Sequence, residues 1–250
     1  MIDRTGPCGP SDVEGKTMKS STVNLQSAAG SFSAYLARPD QPNGAGLVIL
    51  QEIFGVNANM RSVADAFAAA GFNAIVPDLF WRQEPGVELD PATDRDRATE
   101  LLKGLDPALA VQDALLAADH VRALDGANGK VGAVGYCLGG KLAYLLAMES
   151  GIDAAASYYG VAIQALLDKA QDVQCPTLLH LAEEDHLCPP EAQGQIEAAA
   201  AQSDKIEVLR YPGVGHAFAR RGSPAFDSDS AERADGATLA LLRTNLATAA

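Results

Sequence analysis

The residue best placed for chemistry is a cysteine between glycines. Gly135-Tyr136-Cys137-Leu138-Gly139, followed by Gly140, has the spacing of a nucleophile elbow with Cys in the position of Ser. A run of strand character at 130–134 precedes it and a helical run at 139–148 follows. Such a turn is tight and its nucleophile strained, so the flanking glycines remove side chains that would collide there. Sulfur then sits at a helix N-terminus, where the macrodipole favours thiolate. The Leu138 amide, one residue on, can point at a developing oxyanion. The plain alternative is a buried structural cysteine in a Gly-rich turn. The strand before and the helix after favour the elbow.

An elbow requires an acid and then a histidine, each after a later strand. The strand at 177–181 is followed by Glu183-Glu184-Asp185-His186, and the strand at 206–211 by Gly213-Val214-Gly215-His216. His216 is therefore the candidate base, in a glycine-bracketed loop. Asp185 would fix its tautomer and support imidazolium. Position in the loop alone leaves Glu183 and Glu184 as rivals. The other histidines, His120, His180 and His186, read as surface or core residues. Glu52, at the end of the apolar run 46–51, falls near the sulfur. The Ile53 amide beside it is the candidate second oxyanion donor. Asp78 reads as a loop-fixing group.

These residues need a frame. The chain has 250 residues, within the range of one α/β domain. The opening segment 1–17 is polar and rich in Gly and Pro, and is expected to be a flexible extension to a single domain over 18–250. Runs at 23–26 and 31–37 predict an opening hairpin. Strands are expected at 46–51, 73–76, 130–134, 154–158, 177–181 and 206–211. Helices are expected at 59–70, from Asp106-Pro107 onward, and at 139–148, 190–201 and 228–246. In the helix opened by Pro107, Leu109, Leu115, Leu116 and Leu124 mark the expected apolar face. Residues 81–96, charged and proline-bearing, read as a surface excursion. Alternating strands and helices imply an α/β fold, a mostly parallel central sheet with helices on both faces.

Composition narrows the function. Lys and Arg number 19 against 32 Asp and Glu, a net charge of −13. That argues against a nucleic-acid binder and against an anionic membrane as partner. No apolar run is long enough to span a bilayer. Four cysteines show neither metal-ligand spacing nor a disulfide framework. A reducing, cytoplasmic setting is the expectation, with no metal.

Six motifs, taken together, resemble the bacterial dienelactone hydrolase (carboxymethylenebutenolidase) family. They are QEIFGVN at 51–57, PDLFWRQEPG at 77–86, GKVGAVGYCLGG at 129–140, YYGV at 158–161, EEDH at 183–186 and GHAFAR at 215–220. The likeness runs from about residue 20 to the C-terminus. It implies an α/β-hydrolase fold, no cofactor, and opening of 4-carboxymethylenebut-2-en-4-olide to maleylacetate in (chloro)aromatic catabolism. By motif match it implies Cys137 as nucleophile, Asp185 as acid, His216 as base and Glu52 as a modulating carboxylate. It further implies that Arg82 and Arg220 hold a substrate carboxylate, with Trp81 and Tyr136 also against the substrate. A small-molecule ester or lactone is then the partner, and the protein a monomer or weak homodimer. Ala217 stands where these enzymes often carry Ser, and Leu187 where they often carry an aromatic residue, so substrate preference is open. The rival readings are an esterase or thioesterase with another substrate, and a non-catalytic redox or binding protein with an oxidisable Cys137.

Overall fold

The computed structural model describes residues 18–246; the expected extension 1–17 lies outside them. Their frame is an eight-stranded sheet with strand order β1-β2-β4-β3-β5-β6-β7-β8. Strands β1 (Met18–Ser27) and β2 (Gly30–Pro39) form the expected hairpin, and β2 also pairs antiparallel with β4 (Asn73–Pro77). The rest of the sheet is parallel: β3 (Gly46–Leu50), β5 (Val131–Tyr136), β6 (Ala154–Tyr158), β7 (Thr177–Ala182) and β8 (Ile206–Tyr211). Strands β3, β4, β5, β6 and β7 are buried along their whole length. That explains their near-continuous apolar sequence, as a parallel sheet covered on both faces requires.

Helices α1 (Ala58–Ala69) and α6 (Ser228–Leu246) cover one face, where Met60, Phe67 and Leu242 pack on Leu47, Ile49 and Val134. Helices α3 (Pro107–Arg122), α4 (Leu138–Leu146) and α5 (Pro190–Ala200) cover the other, with Val121, Leu142 and Ile196 among the side chains that join Val48, Leu50 and Ala133. From β3 the chain moves outward to β4. It then crosses back through α2 (Arg95–Gly104) and α3 to β5, and proceeds to the opposite side. The carboxyl ends of β3 and β5 therefore flank a topological switch point, where open α/β sheets leave a crevice. Glu52 follows one of these strands and Cys137 the other.

Three sequence expectations change. The excursion after Trp81 is not all irregular, because α2 begins at Arg95. A 3-10 helix at Ile163–Asp172 joins β6 to β7. The buried face of α3 is made by Ala110, Val111, Asp113, Ala114, Ala117, Ala118 and Val121, whereas Leu109 is 36% exposed. Small residues bring this helix close to the sheet, and the bulkier leucines fall to its flanks. Among the described residues, no helix is long and apolar enough to cross a membrane.

Candidate active site

Cys137 ends β5 as the N-cap of α4, with φ 57° and ψ −113°. This is a left-handed backbone at a residue with a Cβ, and such strain persists only where the surroundings enforce it. Here they do. A Cβ at Gly135 would stand 1.9 Å from the Gly139 carbonyl oxygen, and one at Gly139 would stand 2.1 Å from that of Leu50. Both glycines are thus required for the helix to start immediately after the strand. The Cys137 N–H donates to the Tyr158 carbonyl (3.0 Å), tying the turn to β6.

The thiol is buried, 7% exposed. Burial, and next the Glu52 carboxylate, push its pKa up to about 12, against the opposing pull of the Leu138 amide and Arg220. The resting group is therefore a neutral thiol at pH 7, contrary to what a helix N-terminus alone favours. Desolvation outweighs the helix dipole here. Alkylation of Cys137 by iodoacetamide, followed by peptide mapping, is expected to rise about tenfold per pH unit from 7 to 10 without a plateau. A plateau below pH 9 would show a resting thiolate instead. Stability has a matching sign. The unfolded thiol titrates near its usual ~8.5, so the unfolded chain releases its proton first as pH rises. This group leaves stability unchanged below that pH and lowers it progressively above.

His216 and Asp185 meet across the loops after β8 and β7. Asp185 Oδ2 accepts from His216 Nδ1 at 2.8 Å, and Asp185 Oδ1 accepts from the Leu187 N–H at 2.8 Å. An acceptor at Nδ1 assigns the ring proton there and leaves the lone pair on Nε2. Nε2 is buried without a protein hydrogen-bond partner. Of the three acids in that loop, Asp185 is buried while Glu183 and Glu184 are exposed. Glu183 instead accepts from the Gly213 N–H at 3.2 Å. His180 is a core residue between Tyr211 Oη and Thr238 Oγ1 (2.8 Å each), its pKa lowered to about 3 by burial, then by the Arg233 charge. Asp78 fixes its loop by accepting from the Phe80 and Gly86 N–H groups at 3.0 and 2.7 Å.

Glu52 is 2% exposed and held by Arg220 in a two-pronged pair, Nε to Oε2 at 2.7 Å and Nη2 to Oε1 at 2.8 Å. Burial opposes the Arg220 charge, but Glu52 outweighs it and keeps the guanidinium pKa above its usual value. The neighbouring loop 53–57 is pinned by a short antiparallel pairing: Leu89 N–H to the Phe54 carbonyl (2.9 Å) and Val56 N–H to the Val87 carbonyl (3.1 Å). Among the described residues no acceptor engages the Ile53 N–H.

The profile of the dienelactone hydrolase family matches residues 32–246. The chain belongs to this family. Carboxymethylenebutenolidase 1 of Cupriavidus pinatubonensis is 37% identical over 228 residues, covering 90% of this chain and 97% of its own. The carboxymethylenebutenolidase of Pseudomonas putida is 38% identical over 216 residues, covering 85% and 92%. Among solved structures, a dienelactone hydrolase from Anabaena variabilis superposes with a TM-score of 0.67 at 19% identity, over 92% of this chain and 99% of that one. As a family member, the protein is a hydrolase of lactone or ester bonds with the α/β-hydrolase fold.

Arg82 and Trp81, which the resemblance sets at the substrate, are both engaged by a carboxylate of α3. Both Nη groups of Arg82 are engaged by Asp113 of α3, which is fully buried, and the guanidinium lies 4.4 Å from the Trp81 ring. The Trp81 indole N–H donates to the same carboxylate at 2.8 Å, and its ring stacks on Phe32. This cluster packs with α3. Tyr136 is buried and stacked on Tyr158 with centroids 4.6 Å apart. Two residues that sequence reasoning missed support the site. Tyr159, at φ 40°, walls the imidazole at 5.0 Å between ring centroids. Gln193 on α5 donates to the carbonyls of Ala182, Glu183 and Cys188 and so shapes the loop carrying Asp185. The YYGV motif hinted at the first; a glutamine on a helix gave no signal for the second.

Proposed function

We propose that this hydrolase opens a carboxylate-bearing enol lactone, dienelactone, to maleylacetate through a Cys137–His216–Asp185 triad, in the catabolism of (chloro)aromatic compounds. The observation that carries the reading is the Asp185–His216 pair, with a buried Nε2 that has no protein hydrogen-bond partner, on a fold whose β5–α4 turn holds Cys137 at φ 57°. Relatives named carboxymethylenebutenolidase, of similar length, support the substrate class.

The chemistry follows from the geometry. The resting thiol shares no hydrogen bond with His216 among the described residues and lies instead near the Leu138 amide and Glu52. Substrate bearing a carboxylate competes with Glu52 for Arg220. Released from its ion pair, Glu52 is a stronger base and takes the thiol proton. The thiolate attacks the lactone carbonyl carbon. The oxyanion is received by the N–H groups of Ile53 and Leu138. Collapse expels the enolate oxygen, and the leaving group takes up the proton held by Glu52. Water, deprotonated by Nε2 of His216, then attacks the thioester, and the same proton passes from His216 to the departing sulfur and returns the thiol. A thiolate leaves more readily than an amine, so activated esters and lactones suit this site better than amides do.

The test is steady-state hydrolysis of cis- and trans-dienelactone, followed by loss of ultraviolet absorbance, with p-nitrophenyl acetate alongside. Fast lactone opening supports the proposal and gives the isomer preference. Hydrolysis of the neutral ester with both lactones inert would move the protein to the esterase reading.

A further inference from the structure

Three neighbouring strands each give one side chain to a buried chain of hydrogen bonds: Tyr158 of β6, His180 of β7 and Tyr211 of β8. Thr238 of α6 joins two of them, its Oγ1 lying 2.9 Å from Tyr158 Oη and 2.8 Å from His180 Nε2. His180 Nδ1 lies 2.8 Å from Tyr211 Oη, and Tyr158 Oη lies 3.0 Å from Asp235 Oδ1. Tyr158, His180, Tyr211 and Thr238 are all 0% exposed. We propose that Tyr158, His180 and Thr238 are positioning residues, and that this chain sets the geometry of the nucleophile and its base. The proposal rests on the assignment of Cys137 and His216 to the reaction.

Each proton in the chain has one place. The Asp235 carboxylate, paired with Arg221 at 3.2 Å, only accepts, so the Tyr158 hydroxyl donates to it. A hydroxyl carries one proton. Thr238 therefore donates to Tyr158 Oη, and its own oxygen is left to accept from His180 Nε2. The imidazole is neutral, because burial, and next the Arg233 charge, lowers its pKa to about 3. With its one proton on Nε2, its Nδ1 accepts from the Tyr211 hydroxyl. The chain runs in one direction, from Tyr211 through His180, Thr238 and Tyr158 to Asp235, and each link polarises the next. A core built for packing alone needs none of these groups, since burying a polar group costs free energy unless it is paired.

The backbone of the same residues holds the site. The Tyr158 carbonyl accepts from the Cys137 N–H at 3.0 Å. The His180 carbonyl accepts from the Tyr159 N–H at 2.9 Å, and Tyr159 is the ring against His216. The Tyr211 carbonyl accepts from the Glu183 N–H at 2.9 Å, two residues before Asp185. The Tyr158 ring also stacks on Tyr136, the residue before the nucleophile. A shift of Tyr158, His180 or Tyr211 thus moves a carbonyl that holds one of the catalytic loops. An error of about 1 Å at the reacting groups costs up to about 10²-fold in rate.

The test is kcat and KM on p-nitrophenyl acetate. Thr238→Val deletes the hydroxyl and keeps the volume, and Tyr158→Phe keeps the ring stack. Each is expected to lower kcat roughly 10-fold with KM within about twofold of wild type. Thr238→Ser should restore most of the rate. Leu242→Val, in the same helix but outside the chain, controls for a loosened α6 and should stay within about threefold of wild type. Nitrogen NMR of histidine-labelled protein should show His180 protonated at Nε2. A kcat within about threefold of wild type in both Thr238→Val and Tyr158→Phe overturns the proposal. An equal fall in Leu242→Val, or a proton on His180 Nδ1, does the same. Alkylation of Cys137 by iodoacetamide separates the proposal from the assignment it rests on. It should quicken by about threefold or more in Thr238→Val and Tyr158→Phe, but not in Leu242→Val, as the elbow opens more often. That result supports the chain even with a wild type inert to every ester, which would remove the functional reading alone. An unchanged alkylation rate in both variants overturns the chain.

Discussion

Cys137→Ala is expected to abolish lactone and ester hydrolysis, by about 10⁶ in kcat where removal of the nucleophile alone disables the whole triad. The argument is geometric. Cys137 is the one side chain presented by the strained β5–α4 turn, and the glycines on either side leave no substitute nucleophile. The fold should survive, because the alanine Cβ occupies the same position and keeps the same hydrogen bond to Tyr158. A companion variant separates strain from chemistry. Cys137→Gly removes the left-handed penalty, about 1–3 kcal/mol, against a glycine entropy cost of about 0.5–1 kcal/mol. Its melting temperature should therefore exceed that of Cys137→Ala by roughly 2–4 °C for each net kcal/mol. Undiminished turnover in Cys137→Ala would remove this residue from the mechanism. Equal melting temperatures for the two variants would show that the elbow stores no strain.

What the sequence made legible is unequal, and the inequality has physical causes. Strands β6 and β7 and helix α6 fall within one residue of where the pattern predicts, because burial of a whole strand or one helix face leaves a local record. The elbow was legible for a similar reason: its constraints lie within six consecutive residues. Alanine carries little contrast between core and surface, so the buried face of α3 was obscured by its more apolar but flanking leucines. The ion pairs left no local record at all. Arg82 pairs with a carboxylate 31 residues away and Arg220 with one 168 residues away. Asp113 in particular drew no notice in the sequence, yet it is fully buried and fixes both Trp81 and Arg82. The resemblance implies Arg82 at the substrate carboxylate, and no local signal announced that both its Nη groups engage Asp113. The cysteine's protonation state was hidden for the same reason, since it depends on burial and on Glu52 arriving from a distant loop.

Asp185→Asn is expected to lower kcat/KM by about 10⁴ while leaving the fold intact, the loss typical when a triad aspartate becomes its amide. The second hydrogen bond of this carboxylate decides the outcome. Oδ1 accepts from the Leu187 N–H, so an asparagine keeps its carbonyl oxygen on that donor and turns its amide nitrogen toward His216 Nδ1. That nitrogen donates where the carboxylate accepted. His216 must then present its lone pair at Nδ1 and carry its proton on Nε2, the wrong tautomer for a base at the buried, otherwise unpartnered nitrogen. The amide also offers no negative charge to balance imidazolium when Nε2 takes the proton of the attacking water. Glu183→Gln and Glu184→Gln supply the contrast, since both carboxylates are exposed and Glu183 is directed at Gly213. Each should change turnover by less than about threefold, as surface substitutions away from a site do. The comparison is read as kcat/KM on p-nitrophenyl acetate, with far-ultraviolet circular dichroism to verify folding. An active Asp185→Asn, or a loss in Glu183→Gln as deep as its own, would transfer the role of acid to another carboxylate of that loop.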